Sequence, residues 1–166
     1  MYINEYSLPG FLRIICIAAI ISLMTISVSR AQEHQTQDVI QPIPDTTFIQ
    51  PEELAELLRS EKNTQLLILQ VGVQSLYDRG HIPGSEYTGS ASDSIGMKKL
   101  RKRVKELPRD KFIVIYCGCC PLKDCPNIKP AYRELKSLGF NNTKMLYLPD
   151  NFNIDWIAKN YPVSEK

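Results

Sequence analysis

Three short runs of uninterrupted apolar residues, at positions 66–69 (LLIL), 112–116 (FIVIY) and 145–148 (MLYL), constrain this chain more than any other feature. Runs of that length without polar alternation suit strands covered on both faces, which is the condition of a parallel sheet between helices. Between them lie segments whose apolar residues recur every three or four positions: Leu54, Leu57 and Leu58; Met97, Leu100, Val104 and Leu107; Ile128, Ala131, Tyr132, Leu135 and Leu138, closed by Gly139; and a short last one with Phe152 and Trp156. Each such segment carries a single apolar stripe, as an amphipathic helix does. Strand and helix in alternation predict an α/β fold with a mainly parallel central sheet flanked by helices on both faces. No internal repeat interrupts the pattern.

The N-terminus reads differently. Residues 14–28 (IICIAAIISLMTISV) are apolar, follow Arg13, and lead to Ser29 and Ala31 at the positions a signal peptidase reads. The expectation is a signal peptide over 1–31, cut after Ala31, and a periplasmic or secreted protein. Such a run is short for a hydrocarbon core of about 30 Å, so an uncleaved membrane anchor is the alternative, and the only route by which a membrane becomes a partner. A polar stretch with Pro42 and Pro44 makes 32–46 a linker, leaving 47–166 as the folded domain. With 20 basic residues against 18 acidic ones, a net charge of +2 offers no field to hold a nucleic acid.

Cysteine placement carries the chemistry. Of five cysteines, Cys16 lies in the signal segment, whereas Cys117, Cys119, Cys120 and Cys125 crowd one loop, CGCCPLKDCPN. That loop follows the strand FIVIY and precedes a helix starting near Asn127, the position at which open α/β sheets bind ligands. Gly118 permits a positive φ, so that loop amides turn inward, and Asn127 is suited to cap the next helix, whose positive end faces the loop. Amides and a helix N-terminus favour an anion such as a thiolate or persulfide, and a lowered thiol pKa makes Cys117 the nucleophile. Gly118, Cys119, Cys120 and Lys123 form the expected anion-binding set, with Lys129 adding positive charge.

The segment RGHIPGS at 79–85, preceded by Tyr77, resembles the Y-x-x-G-H-I-P-G-A signature of rhodanese-like domains, and IVIYC resembles the strand and nucleophilic cysteine of that family. Leu138-Gly139-Phe140, the strand KMLYL, Trp156 and the closing Tyr161-Pro162-Val163 resemble its C-terminal part in the same order, so the resemblance spans about 48–163. It implies a sulfurtransferase in which Cys117 takes the outer sulfur of a small sulfane-sulfur donor, carries it as a persulfide, and passes it to a thiol acceptor. No cofactor is expected for that chemistry. Two departures stand out: Gln70-Val71-Gly72 replaces the family's common Asp-Val-Arg, and the elongated loop contains no arginine. The missing guanidinium argues against a phosphatase or arsenate reductase, whose doubly charged oxyanions need that fork.

Cys119, Cys120 and Cys125 exceed what sulfur transfer requires. Cys120 and Cys125 are candidates to resolve a Cys117 persulfide into a disulfide, which makes a dithiol redox protein one alternative. The loop contains C-x-x-C, but too few elements follow it for a thioredoxin fold. A second alternative is a thiol-rich metal module, with Cys117, Cys119, Cys120 and Cys125 as candidate ligands; copper(I), content with two or three thiolates, suits the spacing better than zinc. Pairing as two disulfides is the bland reading of the same cluster. His81 is expected to make a structural hydrogen bond, His34 to be solvated, and the basic run 98–111 to be a solvated helix face.

Overall fold

The computed structural model describes residues 45–60 and 65–165. The signal-peptide reading of 1–31, with Cys16, and the linker up to residue 44, with His34, lie outside the described residues. Five strands, β1 (Phe48–Ile49), β2 (Leu66–Gln70), β3 (Glu86–Tyr87), β4 (Phe112–Tyr116) and β5 (Thr143–Leu146), form one sheet in the order β1-β5-β4-β2-β3. Every pairing among them is parallel. The helices are α1 (Pro51–Arg59), α2 (Gln74–Arg79), α3 (Ser94–Val104), α4 (Ile128–Ser137) and α5 (Phe152–Asp155), with 3-10 turns at Asp45–Thr47, Leu122–Asp124 and Ile157–Lys159. None of these helices is long and apolar enough to cross a membrane.

The period of two along a strand sorts the core into two layers. Leu67 and Leu69 of β2, Ile113 and Ile115 of β4 and Met145 of β5 pack against Leu100 and Val104 of α3 and Ile128, Ala131 and Leu135 of α4. Ile68, Val114, Tyr116 and Leu146 pack the other way, against Leu54 and Ala55 of α1, Phe152 of α5 and Trp156. This is the sandwich the apolar runs predict. Local chemistry sets the helix ends: Pro51 opens α1 with Glu52 and Glu53 in its first turn, and Asp93 caps α3 by accepting from the Gly96 N–H at 2.7 Å.

Two boundaries differ from the sequence reading. The last strand, expected at 145–148, begins at Thr143, which pairs with Ile113, and ends at Leu146. Leu148 has left the sheet; its carbonyl accepts from the Leu122 N–H at 3.0 Å and so holds the cysteine loop. The helix expected to reach Leu107 stops at Val104, and the chain turns with the Leu107 N–H on the Val104 carbonyl. Strands β1 and β3 and helix α2 were too short to register as patterns.

Candidate functional site

Cys117 immediately follows β4 and continues the parity of Ile113 and Ile115, so its side chain enters the α3/α4 layer, where it is 4% exposed. The strand end is secured by the Val71 N–H, which donates to the Tyr116 carbonyl at 2.9 Å. Gly118 then turns the chain with φ 80°. A Cβ there would lie 2.7 Å from Cβ of Phe152, whose N–H donates to the Gly118 carbonyl at 3.2 Å. Glycine is required at this position both for the turn and for the close approach of α5.

The loop folds back on itself and gathers its sulfurs. Cys117 Sγ lies 3.3 Å from Cys119 Sγ, which lies 2.8 Å from Cys120 Sγ, and Cys117, Cys119 and Cys125 all fall within 4.8 Å of one another. All four are free thiols. The nest is walled by residues the motifs did not single out. Gln70 donates from Nε2 to the Cys117 carbonyl at 3.1 Å and accepts at Oε1 from the Gly72 N–H at 3.1 Å. Gly72 leaves the space in which the thiol sits, since a Cβ there would come 2.6 Å from Cys117 Sγ. The Gln-Val-Gly that departs from the family's common triplet is therefore part of the site, and the departure was the signal that pointed to it.

Asn127 corrects an expectation. It occupies the N-cap position of α4 without a side-chain cap bond. Its Oδ1 accepts from the Ser92 N–H at 3.0 Å, and its Nδ2 donates to Cys117 Sγ at 3.4 Å. With the side chain spent on the thiol, the first N–H groups of α4 remain for another acceptor, and those of Asn127 and Ile128 are taken by Cys125.

That arrangement moves the charge. The expectation made Cys117 the ionised thiol; instead its pKa is pushed up, first by the hydrogen bond it shares with Cys125, then by burial and the charge on Cys125. Cys125 is lowered to about 5, chiefly by the hydrogen bond from Cys117 and, against the cost of burial, by the two helix N–H groups. Burial, with Cys119 as its hydrogen-bond partner, pushes Cys120 up to about 12. The two sulfurs titrate as a pair, with the helix N–H groups favouring the charge on Cys125 over Cys117.

Lys123 is corrected as well. Its ammonium lies 2.9 Å from Asp124 Oδ2 on an exposed turn, and Lys129 Nζ donates to the Lys123 carbonyl at 3.4 Å, so neither ammonium is spent on a sulfur. Positive charge arrives from elsewhere: a cleft of about 370 Å³ opens beside Cys117, Gly118 and Cys119, with Tyr77 and Arg79 of α2 on one side and Asn151, Phe152 and Asn153 on the other. Its size suits a small organic ligand. Arg79 is held by its Nε donating to the Ser75 carbonyl at 3.2 Å. Arg79, on a different element from the loop, is the arginine among the residues that line the cleft.

His81 has the structural role expected of it, with Nδ1 2.9 Å from the Tyr77 carbonyl and its ring stacked on Tyr77 at 3.9 Å. The same turn is tied to β4 through the Tyr116 hydroxyl, which accepts from the Ile82 N–H at 3.2 Å and lies 3.1 Å from Ser85 Oγ. The basic run is the solvated face expected of it, with Lys98, Lys99, Arg101, Lys102, Lys105 and Arg109 all exposed, and three of its cations also touch neighbouring elements: Arg101 pairs with Glu134 of α4, Arg103 with Glu86 of β3, and Arg109 lies over the Phe140 ring. These cations bind the molecule's own elements.

Comparison with known proteins places these observations. Residues 50–147 match the family model described as "Rhodanese-like domain". Over 115 residues the chain is 30% identical to the HTH-type transcriptional regulator Rv0324 of Mycobacterium tuberculosis, covering 67% of this chain and 43% of that protein. The chain therefore spans less than half of that relative's length. Among solved structures, the Bacillus halodurans BH2092 protein superposes with a TM-score of 0.55 at 19% identity, covering 72% of this chain and 78% of that one. The rhodanese-like domain of the Anabaena sp. Alr3790 protein gives 0.54 at 21% identity, covering 72% and 80%.

Proposed function

Because the chain belongs to the rhodanese-like domain family, we propose that it is a sulfurtransferase that carries sulfane sulfur as a persulfide on Cys117. The observation that carries this reading is a single one: Cys117, at the end of a central strand, lines a cleft of small-molecule size with the Cys119 and Cys125 sulfurs gathered within 4.8 Å. Cys125 acts as the base. It takes the Cys117 proton as the sulfur of Cys117 attacks the outer sulfur of a persulfide donor. The donor's inner sulfur leaves and recovers that proton, so Cys117 ends as the persulfide and Cys125 as the thiolate. Arg79 and the Asn151 and Asn153 carboxamides suit a donor with an anionic or polar tail, and a small-molecule or protein thiol is the acceptor.

The test is mass spectrometry of the reduced domain after exposure to an organic persulfide or thiosulfate. A gain of one sulfur, mapped to the peptide containing Cys117 and absent in Cys117→Ser, is expected; no gain from either donor rejects the proposal. The proposal includes export to the periplasm or beyond, and N-terminal sequencing of the protein recovered from its native host should begin at Gln32.

One observation favours a second reading: three sulfurs within 4.8 Å of one another form a trigonal donor set suited to copper(I), and less suited to the four-ligand structural sites of zinc. Cys117, Cys119 and Cys125 would hold the ion. Elemental analysis after anaerobic purification separates the readings, since stoichiometric copper that persists through chelation favours the metal module and a metal-free protein favours sulfur transfer.

A further inference from the structure

Resting on the persulfide reading, we infer that Cys125 is a second catalytic residue, which displaces the carried sulfur from Cys117 as hydrosulfide and closes a Cys117–Cys125 disulfide. The protein then acts as a persulfide reductase, and it requires a dithiol to reset it.

The geometry separates Cys125 from the other two loop thiols. Displacement at sulfur runs in line, so the attacking thiol must stand opposite the sulfur that leaves. A sulfur delivered from the cleft sits on the cleft side of Cys117. Cys119 lines that same cleft, beside the incoming sulfur. Cys125 is 6% exposed and packs in the α3/α4 layer with Ile128 and Ala131, yet its sulfur is within 4.8 Å of Cys117 Sγ. It is the thiol with a path to the rear of the bond. Ring closure points the same way: a Cys117–Cys119 bridge would span one residue, Gly118, already committed to φ 80° and to the Phe152 N–H, whereas Cys117 and Cys125 are joined by a longer, turn-containing loop. Cys120 stands beyond Cys119, 2.8 Å from its sulfur, and is not one of the three mutually close sulfurs.

Cys125 stands two residues before Asn127, the N-cap of the ten-residue α4, and Asn127 Nδ2 holds Cys117 Sγ from the same end of the helix. The step balances. Cys125 thiolate bonds to Cys117 Sγ, the bond from Cys117 Sγ to the outer sulfur breaks, and hydrosulfide leaves with the electron pair and the negative charge. The outer sulfur is reduced by two electrons, and the two cysteines are oxidised to a disulfide. A small or protein dithiol reduces that disulfide by two electrons, becoming a disulfide itself and returning both thiols.

The experiment is a single turnover of the reduced wild-type protein with one equivalent of an organic persulfide, whose leaving group is a thiol and not hydrosulfide, anaerobic and without added reductant. Hydrosulfide is trapped with a bimane and the protein is mapped by peptide mass. Tryptic cleavage after Lys123 separates Cys125 from Cys117, Cys119 and Cys120, so a bridge appears as a linked peptide pair whose fragmentation names the partner. Hydrosulfide release together with a Cys117–Cys125 pair is expected. Cys125→Ser should retain the sulfur on Cys117 and lose hydrosulfide release. A stable persulfide on wild-type Cys117, with no hydrosulfide, overturns this inference and leaves the carrier reading standing. A bridge from Cys117 to Cys119 or Cys120 overturns it as well. If neither wild type nor Cys125→Ser gains or releases sulfur, the carrier reading fails and takes this inference with it. The wild-type map decides the matter even if a variant does not fold.

Discussion

Replacing Gly72 with alanine tests the thiol nest by adding one carbon. The new Cβ would lie 2.6 Å from Cys117 Sγ, 3.0 Å from Gln70 Nε2 and 3.1 Å from the Cys117 carbonyl oxygen. Ordinary contact needs about 3.5 Å or more, so the sulfur must retreat by about an ångström. It has little room to do so, because Cys119, Cys125 and Asn127 Nδ2 already surround it. Forced overpacking of a tight core costs about 1–3 kcal/mol, which for a domain of this size lowers the melting temperature by roughly 3–15 °C. A displacement of that size at a reacting atom costs about 100-fold in rate. Gly84→Ala is the control: its φ is +74° and nothing lies within 4 Å of a built Cβ, so it pays only backbone strain of about 1–2 kcal/mol and leaves the thiols alone. The assay pairs thermal unfolding with the single-turnover rate of sulfur uptake at Cys117. A Gly72→Ala protein that loses stability but takes up sulfur at the wild-type rate would refute the claim that Gly72 positions the thiol.

Other perturbations reach different parts of the same frame. Gln70→Leu keeps the volume but leaves the buried Cys117 carbonyl and Gly72 N–H without their partner, and should cost about 1–3 kcal/mol in urea unfolding. Ultraviolet thiolate absorbance should fall away as pH drops through about 5, and Cys125→Ser should remove that transition. The sign follows from the lowered pKa: the ionised form is favoured by the folded state, so Cys125 contributes stability above the unfolded thiol's pKa and loses it as pH falls through about 5. Arg103→Ala removes the contact of Nη2 with Glu86 Oε1 at 2.8 Å, but both side chains are more than a third exposed, and chemical denaturation should register a loss of about 0.2–1 kcal/mol that shrinks in high salt.

The sheet was legible because its three inner strands are buried on both faces, and such burial writes itself as unbroken apolar runs. Edge strands of two residues, Phe48–Ile49 and Glu86–Tyr87, leave no period to read, and their existence depends on pairing with β5 and β2. The placement of Cys117 at the end of a central strand was legible from strand-then-loop order. The distribution of charge within the loop was not, because it hinges on where one carboxamide points. An Asn127 that capped α4 would have competed for the N–H groups that instead reach Cys125, and no spacing rule distinguishes the two outcomes. Arg79 was visible inside RGHIPGS, yet only the fold brings α2 to the cleft beside Cys117.

The end of the described chain has a mechanical meaning. Ser164 and His81 exchange two backbone hydrogen bonds, each 2.9 Å, and Trp156 Nε1 donates to the Pro162 carbonyl at 2.8 Å. Through Gly80, which lines the cleft and would bring a Cβ within 3.3 Å of Val163, this strap is fastened to the wall of the cleft. The strap is no part of the parallel ladder, so one wall of the opening beside Cys117 is held by the last described residues and not by the sheet.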